Sequence, residues 1–176
     1  VYFKNYHEYE PLINMYIDSK TIEKPRQIWW KIRPHVDYGT IEFRICDVQR
    51  SINNIYMLAS LSQALVYAAV KEYHNGTLIE KFNLEYLFDS LWKASRFSFD
   101  AELIDPVSGK ISSLKKQINI MLDYVGDGLK YFNNSDTVNK VLTIINNGTE
   151  ADDQIRVYRK SGFKGLKKYL INSVDY

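Results

Sequence analysis

The sequence predicts an α+β fold in which an antiparallel hairpin over residues 28–47 packs with a mostly helical C-terminal region. Residues 28–47, IWWKIRPHVDYGTIEFRICD, alternate with a period of two on either side of a glycine-bearing turn. From Ser51 onward, apolar residues recur at helical spacings over long windows. Turn-forming residues, Asn75-Gly76 and Asp105 to Gly109, separate those windows.

The elements follow in order. Tyr9, Leu12, Ile13, Tyr16 and Ile17 give the 3,4 spacing of a helix over residues 6–20, and Pro25 closes that segment before the first strand. In the hairpin, Lys31, Arg33 and His35 share one face with Thr40, Glu42, Arg44 and Cys46. Trp30 and Ile32 share the other with Ile41, Phe43 and Ile45. Setting Arg33 opposite Glu42 places Ile32 opposite Phe43, Lys31 opposite Arg44 and Trp30 opposite Ile45. Val36-Asp37-Tyr38-Gly39 is left as the loop, with glycine supplying positive φ. The apolar face is expected to meet the core, and Cys46 to be a small buried residue.

Ser51 is placed to cap a long helix reaching Tyr73, the central helix of the core, with Asn75-Gly76 as its stop. Further helices are expected over residues 78–97, 112–131, 136–146 and 152–172. Thr149 and Asp152 resemble a capping box for the last. Acids lead that helix (Glu150, Asp152, Asp153) and bases trail it, in the order that complements the helix dipole. Gly162 and Gly165 predict a break within it.

Length and composition bound the function. At 176 residues the chain is single-domain in size, with one core. A net charge of +2 with 25% charged residues is too balanced to call for nucleic acid or membrane as a partner. The longest apolar stretch, around residues 56–70, is interrupted by Ser60, Ser62 and Gln63. With one cysteine and no opening signal segment, a cytoplasmic location is expected. His7, His35 and His74 show no metal-ligand spacing, and there is neither a glycine-rich phosphate loop nor a nucleophile elbow.

The polar face of the hairpin gathers one carboxylate and three cations. A solvated sheet surface with an Arg33–Glu42 pair worth about 0.2–1 kcal/mol accounts for part of it. Lys31 opposite Arg44 sets like charges across the ladder, which a surface selected for stability avoids and an anion-binding surface exploits. Glutamate is also an oxygen ligand for Mg²⁺.

These residues carry a resemblance. IWWKIRPHVDYGTIEFRICD resembles the signature hairpin of the carboxylate–amine ligases related to glutamate–cysteine ligase, family type 2. LWKASRFSFDAELIDPVSG, residues 91–109, is similar to the family's next segment, and DDQIRVYRKSGFKGLKKYLI to its C-terminal helix. Lys31 stands where the family usually has aspartate, and Ser98-Phe99 where it usually has Gly-Leu.

The family belongs to the glutamine-synthetase-like superfamily, so the resemblance implies that the hairpin is part of such a sheet. It implies a ligase that uses ATP and Mg²⁺ and joins amino-acid substrates. Glu42 would ligate the metal, Arg44 would hold the transferred phosphoryl group or the substrate carboxylate, and Arg33 would neutralise nucleotide phosphates. Arg96 is a further candidate anion contact. Family members are about twice this length, so residues 1–176 correspond to the C-terminal half of a longer catalytic domain, inactive alone and open to homo-oligomerisation through an incomplete sheet. Its opening on Val1 accords with processing of a longer chain. Two other readings stay open: a non-catalytic half that needs a partner chain, and a helical interaction module with a structural hairpin.

Overall fold

The structure, a computed structural model, describes residues 3, 5–35, 37–78 and 81–172. Its packing divides the chain into two compact units, residues 1–48 and 49–176, each described by itself.

In the first unit, helix α1 (Tyr6–Asp18) is capped by Asn5, whose side-chain oxygen accepts the Glu8 N–H at 3.2 Å. A single 3₁₀ turn (Pro25–Gln27) leads into β1 (Ile32–His35), which pairs antiparallel with β2 (Thr40–Phe43). The register is the one the alternation predicts: Ile32 faces Phe43, Arg33 faces Glu42, Pro34 faces Ile41 and His35 faces Thr40. The Arg44 N–H donates to the Lys31 carbonyl at 2.8 Å and carries the ladder one step further, short of the expected Trp30–Ile45 pair. That bond puts the bonded pairs at 31/44, 33/42 and 35/40, so Pro34 occupies a non-bonded position where its missing N–H costs nothing. Gly39 turns the chain at φ +59°. Of the predicted loop, Val36 lies outside the described residues.

One expectation reverses. Ile32 and Ile41, on the face assigned to the core, are 53% and 52% exposed, while Arg33 on the polar face is 7% exposed. Arg33 draws two main-chain carbonyls of residues 26–28 against itself, so the segment leading into β1 closes over the polar side. The core of this unit is accordingly small, with Tyr9, Ile13 and Ile28 buried and Phe3, Tyr16, Ile17, Ile22 and Trp30 packed around them. Cys46 also departs from expectation, since it lies beyond the end of β2 and is exposed.

The second unit is built on α2 (Ile52–Asn75). Ser51 occupies the cap position, but its side chain makes no capping bond; its carbonyl accepts Asn54 N–H and Ile55 N–H instead, both at 3.1 Å. Gly76, at φ +68°, ends the helix as predicted. Helix α3 (Leu84–Phe97) starts later than the expected residue 78, because Asn83 caps it by accepting from Glu85 N–H and Tyr86 N–H. Residues 79 and 80 of that expected helix lie outside the described residues.

Strands β3 (Glu102–Ile104) and β4 (Ile111–Ser113) form a second hairpin around the Asp105–Gly109 turn. The Asp105 carboxylate accepts from Val107 N–H and from both the N–H and hydroxyl of Ser108, which fixes the turn. Ser90 of α3 bridges to β3, its hydroxyl accepting from Ile104 N–H at 3.1 Å and donating to Ile104 C=O at 3.3 Å.

Helices α4 (Leu114–Tyr131), α5 (Thr137–Asn147) and α6 (Glu150–Asn172) follow. The core is where α2, α4 and α5 meet: Met57, Leu61, Ala64, Leu122, Val125, Leu129 and Val141. α2 is thus central to this unit, as its apolar circumference predicts. Thr149 and Asp152 form the reciprocal cap read from the sequence, with Thr149 N–H to Asp152 Oδ2 at 2.7 Å and Asp152 N–H to Thr149 Oγ1 at 3.4 Å. Gly162 breaks α6 at φ +61°. Among the described residues no helix is long and apolar enough to cross a membrane.

Candidate functional site

The β1–β2 ladder sets Arg33, Glu42 and Arg44 on one face, and their side chains converge. Arg33 Nη2 donates to Glu42 Oε2, and Arg44 Nε lies 4.0 Å from Glu42 Oε1. The two arginines occupy different surroundings. Arg33 is buried, and its Nη1 donates to Arg26 C=O and, at 3.3 Å, to Ile28 C=O. Arg44 rests over the indole of Trp29, 5.0 Å from the ring centroid, with no side-chain hydrogen bond among the described residues. Lys31, opposite Arg44 on the ladder, has an exposed side chain.

Tyr9 of α1 completes the inner side of the cluster. Its hydroxyl donates to Pro34 C=O at 3.5 Å. Burial raises the Tyr9 phenol above its ordinary value, neighbouring Tyr6 adds to this, and the Arg33 charge opposes it. At the other end of the hairpin, the His35 imidazole stacks on Tyr38 with ring centroids 4.5 Å apart.

Glu42 is the cluster's one carboxylate. Its Oε2 is engaged by Arg33, and its side chain remains 41% exposed. Among the described residues no three His, Cys, Asp or Glu side chains gather as a metal-holding group. This donor set fits a single oxygen ligand of a Mg²⁺ shared with substrate phosphates and water, and does not fit a self-contained protein cage.

Arg96 is in the second unit, exposed in the last turn of α3 with its guanidinium 5.8 Å from the Phe97 ring centroid. Four contributors escaped the sequence reading: Trp29, Tyr9 and the carbonyls of Arg26 and Ile28. Trp29 was legible, since positions 29, 31 and 33 share a face by alternation. The carbonyls of Arg26 and Ile28 were not, because main-chain acceptors leave no signature in residue type.

Comparison with known proteins shows the family of the chain. The family model of glutamate–cysteine ligase family 2 matches residues 1–168. The chain is 26% identical over 175 residues to a provisionally named glutamate–cysteine ligase 2 of Solibacter usitatus, covering 99% of this chain and 46% of that protein. It is 29% identical to the like-named protein of Chloroflexus aggregans, covering 97% of this chain and 44% of that one. With that of Gloeobacter violaceus it shares 33% identity over 90% of this chain and 43% of that one. The chain therefore spans a little under half the length of the curated relatives it matches. It belongs to glutamate–cysteine ligase family 2.

Proposed function

We propose that the chain forms the C-terminal part of the catalytic domain of an ATP- and Mg²⁺-dependent carboxylate–amine ligase, with glutamate and cysteine, the pair in its relatives' names, as substrates. The observation that carries this reading is the convergence of Glu42, Arg33 and Arg44 on one strand-paired face.

The chemistry calls for such a face. A carboxylate is a poor electrophile, so it is first activated: its oxygen attacks the γ-phosphorus of ATP, ADP leaves, and an acyl phosphate forms. The amine then attacks the acyl carbon and inorganic phosphate departs, leaving the amide. Phosphoryl transfer asks mainly for positioning and for neutralisation of developing charge. Arg44, held beside Glu42 but free of side-chain hydrogen bonds among the described residues, grips an oxygen pair of the transferring group or of the carboxylate substrate. Glu42 offers its Oε1 to Mg²⁺, which when bound screens the phosphate charges. Arg33 lends positive charge to this face, and Arg96 is a second candidate anion contact.

Because relatives are about twice as long, the remaining ligands and the acceptor pocket belong to sequence beyond residues 1–176, and these residues alone are expected to show no ligation. Isotope transfer tests the mechanism. Glutamate labelled with ¹⁸O in its carboxylates delivers label to the released phosphate if the acyl phosphate forms. Unlabelled phosphate alongside amide product contradicts it.

A further inference from the structure

Arg33 and Arg44 share a face but are held differently, and the difference assigns them different work. Arg33 is 7% exposed, and its guanidinium spans two main-chain carbonyls on Nη1 and the Glu42 carboxylate on Nη2. A guanidinium tied to two fixed main-chain points is a rigid donor. It engages Glu42 Oε2, while Oε1, 4.0 Å from Arg44 Nε, carries no hydrogen bond among the described residues. Arg44 has a side chain 22% exposed, packs on Trp29 and keeps its fork free of hydrogen bonds among the described residues.

We propose that Arg33 is a positioning residue that locks Glu42 for metal binding, with Arg44 rather than Arg33 as the arginine of this hairpin that contacts the anion. The proposal rests on the reading of Glu42 as a metal ligand. It makes the carbonyls of Arg26 and Ile28 part of the site: the turn before β1 anchors the guanidinium, which in turn orients the carboxylate. Partners of this kind, one step removed from the metal, typically change metal affinity about 10–100-fold when lost.

The test uses the full-length protein to which residues 1–176 belong and two probes, Mn²⁺ titrated in the presence of ADP, and ADP titrated in a chelator without metal. Lysine keeps the charge of Arg33 but cannot span three acceptors in the same plane. Arg33→Lys is expected to weaken Mn²⁺ binding about 10–100-fold while metal-free ADP affinity is unchanged. Added to Glu42→Gln, it is expected to change Mn²⁺ binding no further, because both substitutions act through one ligand. Loss of metal-free ADP affinity in Arg33→Lys, or losses that multiply in the double variant, would overturn the proposal. Mn²⁺ affinity unaltered in Glu42→Gln would instead remove the metal reading beneath it, a separate and recognisable failure. Should Arg33→Lys not fold, ¹⁵N-arginine spectra of the unsubstituted protein decide: Arg33 Nη signals that ignore metal-free ADP support positioning, and signals that shift with it refute it.

Discussion

Arg33 and Glu42 meet across the β1–β2 ladder, joined by a hydrogen bond from Nη2 to Oε2, with the arginine buried and the glutamate partly open to solvent. The pair links the small core of the first unit to its outer face. Burial of a charged group is tolerated there because the guanidinium has two carbonyls as well as a carboxylate to satisfy it.

Ser98 holds φ +51°, ψ −133° at the end of α3, a conformation that favours glycine. Ser98→Gly is therefore expected to stabilise the protein by about 1 kcal/mol, read as a shift in the denaturant midpoint. Glycine is also the residue the resembled pattern usually carries at this place.

Gly128 marks the tightest crossing in the second unit. A Cβ there would lie 3.0 Å from both the Cα and the carbonyl oxygen of Ala64 and 3.1 Å from its Cβ. Those atoms belong to the α2 backbone and its shortest side chain, so the helices must part. Gly128→Ala is expected to cost about 1–3 kcal/mol, measured by chemical unfolding; a neutral result would mean that α2 and α4 are not packed this closely.

Tyr124 of α4 donates its hydroxyl to Glu72 of α2 at 2.9 Å. Burial first, then the Glu72 hydrogen bond and charge, push the phenol up to about 12 from 10.0. A folded value above the unfolded one means that this stabilisation is complete below pH 10 and is lost as pH rises toward 12. Phenolate absorbance should show a late-titrating tyrosine that is lost in Tyr124→Phe, and Tyr124→Phe should remove that contribution to alkaline unfolding.

Much of this was legible in the sequence where a local rule decides the outcome. The hairpin register, the Gly39 turn, the Gly76 stop, the Thr149–Asp152 cap and the Gly162 break each follow from residue type and spacing. Strands β3 and β4 are three residues each, too short to show a period, so only their turn was readable. Which hairpin face is covered was not readable either. Alternation tells the faces apart, but coverage is decided by the carbonyls that Arg33 recruits. The convergence of Arg33, Glu42 and Arg44 came from alternation, and the division of roles between the two arginines came from their surroundings.

The most direct test of the account is ATP-dependent amide formation by the full-length ligase with Glu42→Gln, which keeps the side chain's shape and an acceptor for Arg33 while removing its charge. Turnover should fall by about 10²–10³-fold with thermal unfolding little changed. Amide formation at the unsubstituted rate would contradict the role assigned to this hairpin.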